Sequence, residues 1–192
     1  MGSVSSVASN EKFELRGVNH VALVCSDMAR TVRFYRDVLG MPLVKTIELP
    51  GGMGQHFFFD IGNDDCLAFF WFANAQPAHP GISNAPTLPD QGDIASAHAS
   101  MNHLAFDVPL ERFEDYRQRL IDDGVEVSMV LDHDDSEQQV ARAFHPGVFV
   151  RSFYFRDPDG VLLEFASWTR ELGTNDDVAV LPVDASGRHV EL

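Results

Sequence analysis

The sequence predicts an α+β fold built from two βαβββ modules. The first observation is an internal repeat, because residues 19–23 (Asn-His-Val-Ala-Leu) return as residues 102–106 (Asn-His-Leu-Ala-Phe). The second observation is that a helical pattern follows each copy, over residues 28–39 and 110–123, with apolar side chains at spacings of three and four. Each half therefore begins with a strand and continues with an amphipathic helix.

Three further strands are predicted in each half. Gly40 and Gly124 follow the two helical patterns, at the position where helices commonly end in a left-handed residue. The strand-like segments lie at residues 42–49, 56–61 and 66–72 in the first half and at residues 125–131, 148–155 and 161–167 in the second. The Asp-Pro-Asp-Gly sequence at 157–160 predicts a hairpin turn, because proline presets the turn and glycine accepts a positive φ.

These patterns divide the chain into five parts. They are a flexible leader (1–14), a first module (15–73), a linker or lid loop rich in Pro, Ala, Gly and Asn (74–100), a second module (101–170) and an acidic C-terminal tail (171–192). The leader has neither the basic region nor the apolar region of a secretory signal. The tail is expected to be either a loose end or an arm that packs on a partner subunit.

The composition argues against several classes of protein. The formal net charge is -15, with 29 acidic and 14 basic residues, so the field of the chain repels nucleic-acid phosphates and anionic lipid surfaces. No run of about 18 apolar residues is present to span a membrane. Cys25 and Cys66 are widely spaced and favour a reducing compartment over a disulfide framework. We therefore expect a soluble cytoplasmic protein that acts on a small molecule and binds neither nucleic acid nor membranes.

Three residues are candidates for a metal site. His20 and His103 occupy equivalent positions in the repeat, so their imidazoles converge if the two halves pair about a pseudo-twofold axis. Glu164 lies in an apolar strand, where a carboxylate needs a compensating partner such as a divalent cation. Taken singly, each residue has a plainer explanation, namely a hydrogen-bonded core histidine or a solvent-facing glutamate. The recurrence of Asn-His favours the metal site, and two imidazoles with one carboxylate leave coordination positions open for substrate.

Four segments also carry a resemblance to a known family. They are residues 19–23, residues 34–41 (Phe-Tyr-Arg-Asp-Val-Leu-Gly-Met), residues 102–106, and residues 152–164 with the Asp-Pro-Asp-Gly turn. Together they resemble the vicinal oxygen chelate superfamily of glyoxalase, bleomycin-resistance and extradiol dioxygenase proteins, over about residues 17–168. The resemblance implies a cupped, partly open eight-stranded sheet around a metal ion. It also implies that His20, His103 and Glu164 are the ligands.

One departure from the family pattern bears on the reaction. Glyoxalase I members usually draw a fourth ligand from the last strand of the first module, but residues 67–72 (Leu-Ala-Phe-Phe-Trp-Phe) contain no carboxylate, imidazole or amide. A three-ligand site looks more like the ferrous extradiol dioxygenases. We therefore expect Fe(II), with Mn(II), Zn(II) or Ni(II) as alternatives, and a catechol-like substrate. The aromatic run suits a flat substrate, or else an ordinary core or dimer interface.

Three further residues are candidates for proton transfer or substrate contact. His56 is expected to line the cup as an acid, a base or an extra ligand, or else to lie on the surface. Tyr154 matches a position where the family has a tyrosine that donates a hydrogen bond to substrate, with packing as the competing explanation. His145 precedes Pro-Gly in a loop that could close over the site, and its ordinary pKa suits proton transfer.

Two other functions stay open from the sequence. The first is a glyoxalase-like lyase, isomerase or epimerase, in which the ion acts as a Lewis acid. The second is a binding protein like the bleomycin-resistance proteins, which the acidic charge and the Phe-rich strands would suit, although such a protein needs no metal ligands. By analogy with the family, we also expect a homodimer.

Overall fold

The computed structural model describes residues 12–172 and 178–191. The first module consists of β1 (His20–Cys25), α1 (Met28–Val32) with a π-helical continuation (Arg33–Val38), β2 (Leu43–Glu48), β3 (Gly54–Gly62) and β4 (Asp65–Phe72). The second consists of β5 (Leu104–Asp107), α2 (Phe113–Asp122), β6 (Leu131–His133), β7 (Val150–Arg156) and β8 (Leu162–Trp168). Short 3-10 turns at Pro50–Gly52 and Leu110–Arg112 precede β3 and α2. The predicted βαβββ order is confirmed in both halves.

The eight strands form two four-stranded mixed sheets. Their orders are β1-β4-β3-β2 and β5-β8-β7-β6, so each module has the same topology. In each sheet the first strand runs parallel to its neighbour, and the other pairs are antiparallel. The α+β class with paired βαβββ modules is therefore confirmed, with the eight strands divided between two sheets within the chain.

Local sequence explains where the helices begin and end. The Asp27 side chain accepts a hydrogen bond from the Arg30 backbone N–H and so caps the start of α1. Gly40 and Gly124 follow the two helical segments with φ of 73° and 78°, as their positions in the sequence predict. The first helix departs from the prediction in one respect, because only Met28–Val32 is α-helical and the next turn is π-helical.

The strand predicted at residues 125–131 is mostly irregular. Only an isolated bridge between Val127 and Phe155 and the short strand β6 form in this region. The reason lies in Ser128, whose hydroxyl accepts the hydrogen bond of the Tyr154 backbone N–H. A side chain thus takes the place of a backbone carbonyl, and regular pairing is interrupted here.

The two modules share one hydrophobic core. Strands and helices both contribute to it. Its buried residues include Cys25, Phe59, Leu67, Phe69, Phe153, Phe155 and Leu163 from the strands and Tyr35, Phe113 and Leu120 from the helical segments. The Tyr35 hydroxyl also donates a hydrogen bond of 3.1 Å to Asp157 Oδ2 and ties α1's continuation to the β7–β8 turn. The helical segment of the first module is thereby fixed against the second module.

Part of the linker packs on the second sheet, on the face that points away from this core. Ala85 and Leu88 pack against Leu131, Tyr154 and Leu162 in a second, smaller cluster. Two hydrogen bonds hold the linker there. Arg156 donates to the Ala85 carbonyl at 3.0 Å, and the Met129 N–H donates to Asp90 at 2.7 Å.

The structure also describes both cysteines and parts of the two termini. Cys25 and Cys66 are both free thiols. Across residues 12–172 and 178–191, no helix has the length and hydrophobicity needed to cross a bilayer. Most of the predicted leader and the start of the tail lie outside the described residues. Within the rest of the tail, Val183 and His189 form an isolated bridge.

Candidate metal centre

His103 and Glu164 form a close pair on the second sheet. His103 Nε2 lies 3.1 Å from Glu164 Oε2, and the Glu164 side chain is only 6% exposed whereas that of His103 is 38% exposed. His103 immediately precedes β5, and Glu164 lies in the neighbouring strand β8, opposite Ala105. His103 Nδ1 is 2.9 Å from Asn102 Oδ1, which orients the ring and leaves Nε2 as the ligand atom when the imidazole is neutral.

Hydrogen bonds keep the Glu164 carboxylate ionised. Burial alone would raise its pKa, but hydrogen bonds from His103, Ser152 and Tyr154 outweigh burial and hold the pKa of Glu164 below its ordinary value. The same arrangement has the opposite effect on Tyr154, because burial and the Glu164 charge raise the pKa of its hydroxyl. Glu164 is therefore a carboxylate that can bind a cation, and Tyr154 keeps its proton and can act as a hydrogen-bond donor.

His20 occupies the matching position on the first sheet. Its Nδ1 lies 2.8 Å from Asn19 Oδ1, so the asparagine that orients the ring is repeated along with the histidine. The ring contacts Phe58, with 5.7 Å between ring centroids. His20 is the first residue of β1 and points to the face of the sheet opposite the core, since Val21, Leu23 and Cys25 pack into the core.

His56 lies on the same face of the first sheet. It stacks on Phe70 with 3.6 Å between ring centroids and also contacts Phe58. Its Nε2 is buried without a hydrogen-bond partner. Burial, followed by the neighbouring His20, lowers the pKa of His56. The lowered pKa favours the neutral imidazole, and its Nε2 lies without a hydrogen-bond partner on the same face as His20.

The chain brings two of the three predicted ligands into contact. In the part of the chain that the structure describes, no three His, Cys, Asp or Glu side chains are grouped to hold a metal ion. His103 and Glu164 meet, but His20 lies on the other sheet beside Phe58. Convergence of the two imidazoles within one chain is therefore not observed. The reason is that the modules pack together through their core faces, which leaves the two histidine-bearing faces pointing away from the shared core.

His145 has a different environment from the one predicted. Its Nε2 lies 3.1 Å from Asp134 Oδ2, and its Nδ1 accepts a hydrogen bond from the Gly147 N–H. A hydrogen bond from Ser136, and then the one from His145, lower the pKa of Asp134. The structure thus places His145 in a hydrogen bond with Asp134 within the loop between β6 and β7, with no direct contact to the His103–Glu164 pair.

Sequence reasoning assigned no role to Ser152 or His133. Ser152 is fully buried and its hydroxyl hydrogen-bonds to Glu164, while His133 Nε2 lies 3.0 Å from the same hydroxyl. The signal in the sequence is strand alternation, since Ser152 is two residues from Tyr154 and so shares its face. Ser152 therefore acts on the Glu164 carboxylate directly, and His133 acts on it through Ser152.

The geometry defines a protein with paired βαβββ modules and an imidazole–carboxylate pair on one of them. The chain belongs to the Glyoxalase/Bleomycin resistance protein/Dioxygenase superfamily, whose family model matches residues 17–165. Among curated relatives, it is 24% identical over 157 residues to the metallothiol transferase FosB of Staphylococcus haemolyticus, covering 82% of this chain and 87% of that protein. It is 27% identical over 157 residues to the FosB of Shouchella clausii, covering 81% and 82%.

Solved structures agree on the fold. A glyoxalase family protein from Enterococcus faecalis has a TM-score of 0.56 at 22% identity, with 80% of this chain and 99% of that chain covered. A glyoxalase/dioxygenase from Nostoc punctiforme has a TM-score of 0.56 at 22% identity, with 88% and 100% covered. At this identity, the likeness shows a shared architecture.

Proposed function

We propose that this protein is an extradiol-type dioxygenase that binds Fe(II) at a site shared between two copies of the chain. His20 of one protomer would join His103 and Glu164 of the partner subunit. The observation that carries the proposal is the pair of matched half-sites: each has an imidazole oriented by the preceding asparagine, and only the second has a carboxylate.

The residues present fit a divalent cation. The buried Glu164 carboxylate, the Asn-oriented Nε2 of His103 and the free Nε2 side of His20 are the donor set that non-haem ferrous enzymes use. When bound, the ion supplies Lewis acidity and one-electron exchange with dioxygen. Mn(II), Zn(II) and Ni(II) suit the same donors and are the alternatives, since donor type by itself does not select among them.

A shared site follows from what each face lacks. The first sheet exposes His20 on an apolar face but offers no carboxylate beside it, and the second sheet holds the carboxylate and one histidine. A twofold dimer that sets the first sheet of one protomer against the second sheet of its partner makes two identical three-ligand sites. The same contact would cover exposed apolar side chains of the first sheet such as Ile47.

The chemistry of the first sheet favours a flat, apolar substrate. Phe58, Phe70 and Phe72 line its open face, with Phe70 and Phe72 stacked at 5.1 Å between ring centroids. Arg156, on the open face of the second sheet, is held by the Gly160 and Ala85 carbonyls. A catechol ring suits such a surface better than a phosphorylated or phosphonylated substrate does.

Each polar residue near the ligands has a proposed task. His56 would accept a proton from a substrate hydroxyl only after a rotation of its ring that brings the buried, unpartnered Nε2 to the open face, because a base must lie within reach of the proton. Tyr154 would donate a hydrogen bond to a substrate oxygen, since its hydroxyl stays protonated beside Glu164. His145 would act only if the loop that carries it moved, because its imidazole is engaged by Asp134.

A second candidate function rests on the relatives. Both FosB proteins are named metallothiol transferases, a name that implies metal-dependent transfer of a thiol. Such a reaction, like lyase or isomerase chemistry, needs a Lewis acid and no dioxygen. Activity with redox-inert Zn(II) or Ni(II), without oxygen consumption, would select this class. A protein purified without chelators that binds ligand but holds no metal would instead be a binding protein of the bleomycin-resistance type.

The main test is oxygen uptake after anaerobic loading with Fe(II). Wild-type protein should consume dioxygen with at least one member of a catechol panel and produce the yellow absorbance of a ring-opened product. The Glu164→Ala variant should do neither. Absence of uptake above that variant, with Fe(II) bound in stoichiometric amount, would exclude the dioxygenase and leave thiol transfer as the function to assay.

A further inference from the structure

The structure contains a second cleft, at the opposite end of β1 from His20. It has a volume of about 790 Å³ and lies between the ends of β1 and β4 and the first part of the linker. None of the proposed metal ligands lines it, and neither does His56 or Tyr154. His20 and Cys25 stand at the two ends of β1, so roughly 17 Å of strand separates the cleft from the candidate metal centre.

A buried amide with an unused acceptor lies in this cleft. Asn84 is only 5% exposed, and its Oδ1 is buried without a hydrogen-bond partner. Leaving a buried carbonyl oxygen unpaired costs about 1–3 kcal/mol in general, so such atoms usually have a partner. The linker holds Asn84 in place through its backbone, since its carbonyl accepts a hydrogen bond of 2.8 Å from the Gly81 N–H. The backbone at Asn84 is therefore anchored, and the side-chain carbonyl is left to pair with a molecule bound in the cleft.

The rest of the lining restricts the occupant. Trp71 and Phe72 supply aromatic surface, and Leu23, Val24 and Val161 supply aliphatic surface. Asp159 is the acidic residue of the lining, and it is already paired with Ser26 and Arg30. An anion would meet this carboxylate without a free cation among the lining residues, so a neutral molecule is favoured.

We infer that this cleft is a separate binding site for a neutral aromatic molecule with one hydroxyl or amino group, which donates a hydrogen bond to Asn84 Oδ1. Its size falls in the range of small-molecule sites, and an apolar wall with a few polar groups is the usual composition of such sites; the polar lining residues here are Asn84, Ser26, Gln76, His79, Ser83 and Asp159. The inference is independent of the metal, because no proposed ligand lines the cleft.

The test uses 4-methylphenol as probe and the fluorescence of Trp71 as readout. Trp168 is replaced by Phe, so that Trp71 is the one remaining tryptophan in the chain. Titration of this protein with 4-methylphenol should give a saturable change in emission. Toluene, which has the same ring without the donor, should bind about tenfold more weakly, the factor expected for one lost hydrogen bond.

Three variants in the same background locate the probe. Asn84→Ala should reduce 4-methylphenol binding to the level of toluene. A second variant does not depend on Asn84. Ala75→Phe fills the cleft from an exposed linker position and should abolish binding. Ala97→Phe makes the same change outside the cleft and should leave binding intact. Glu164→Ala should leave binding unchanged. Loss of the signal in Glu164→Ala, or an unaltered signal in Ala75→Phe, would show that the probe binds elsewhere and would overturn the inference. The absence of any saturable change in emission would overturn it as well. Failure of the dioxygenase assay would not affect this result.

Discussion

The two sheets have the same topology but opposite chemistry on their open faces. The strand registers show which positions correspond. In the first sheet, Ala68 pairs with Ala22 on one side and with Phe58 on the other. At the same positions of the second sheet, Glu164 pairs with Ala105 and with Tyr154. The carboxylate and its tyrosine thus have an alanine and a phenylalanine as counterparts. One half of the repeat supplies charge and hydrogen bonds, and the other supplies a histidine on an aromatic wall.

This difference explains why we expect one cation, rather than two, wherever the first sheet of one protomer faces the second sheet of its partner. A second carboxylate at the Ala68 position would give a site with a fourth ligand and extra negative charge. Alanine at that position leaves room near His20 and keeps the first sheet apolar. The comparison therefore assigns metal binding mainly to the second face and substrate packing to the first. Substitutions on each face test this division of roles.

The largest effect is expected from mixing two inactive variants. If the site is shared between copies, a dimer of His20→Ala with Glu164→Ala contains one intact site and one site without either residue. Co-refolded mixtures should recover about a quarter of wild-type activity, since about half of the dimers are mixed. Steady-state oxygen uptake measures this recovery, and mixed dimers purified through two different tags should show about half of wild-type activity, because one of their two sites is intact.

The matched control is a mixture of His103→Ala with Glu164→Ala. Both changes fall on the second sheet, so neither site in a mixed dimer is intact and activity should stay at background. Recovery in this control, or none in the first mixture, would contradict a site shared between the two faces.

Two neighbouring phenylalanines of β4 separate the core face from the open face. Phe69→Ala should destabilise the fold by about 3–5 kcal/mol, because Phe69 is fully buried in the shared core. Phe70→Ala should cost much less stability and instead raise KM, because Phe70 lines the open face beside His56. Urea denaturation and steady-state kinetics of both variants distinguish these outcomes. Equal losses of stability would mean that the open face is not a substrate surface.

The asparagines that precede the two histidines should contribute equally to metal binding. Asn19→Ala and Asn102→Ala each remove the acceptor that orients an imidazole, and such partners typically contribute 10–100-fold to metal affinity. Fe(II) affinity measured by competition with a chelator should therefore fall by about that factor in both variants. A loss confined to Asn102→Ala would indicate that His20 is not a ligand.

The smallest effect concerns Asp157, outside both faces. Burial raises the pKa of Asp157 to about 6. The folded protein therefore keeps this proton between about pH 4 and 6 while the unfolded chain releases it, so the wild type loses stability as pH rises through this window. Asp157→Asn cannot ionise, so its stability relative to the wild type should increase by roughly 2–3 kcal/mol between pH 4 and pH 7. Urea denaturation at both pH values measures the difference, and a gap independent of pH would contradict the raised pKa.

Much of the local organisation was readable from the sequence, and for physical reasons. Strand alternation, helical spacing and the glycines after each helix are local signals, so the βαβββ order and the positive φ at Gly40 and Gly124 followed from them. The prediction failed at residues 125–131, where the Ser128 side chain replaces a backbone partner. That substitution depends on how β7 approaches and has no local signature.

The sequence by itself determined the repeat, the fold class and the pairing of each histidine with an asparagine, because these depend on residues close together in the chain. Only the tertiary structure decided which faces the histidines occupy relative to the shared core, that His145 is engaged by Asp134, and that Ser152 and His133 stand behind Glu164. Packing between modules fixes these relations, and it depends on contacts between residues that lie far apart in sequence.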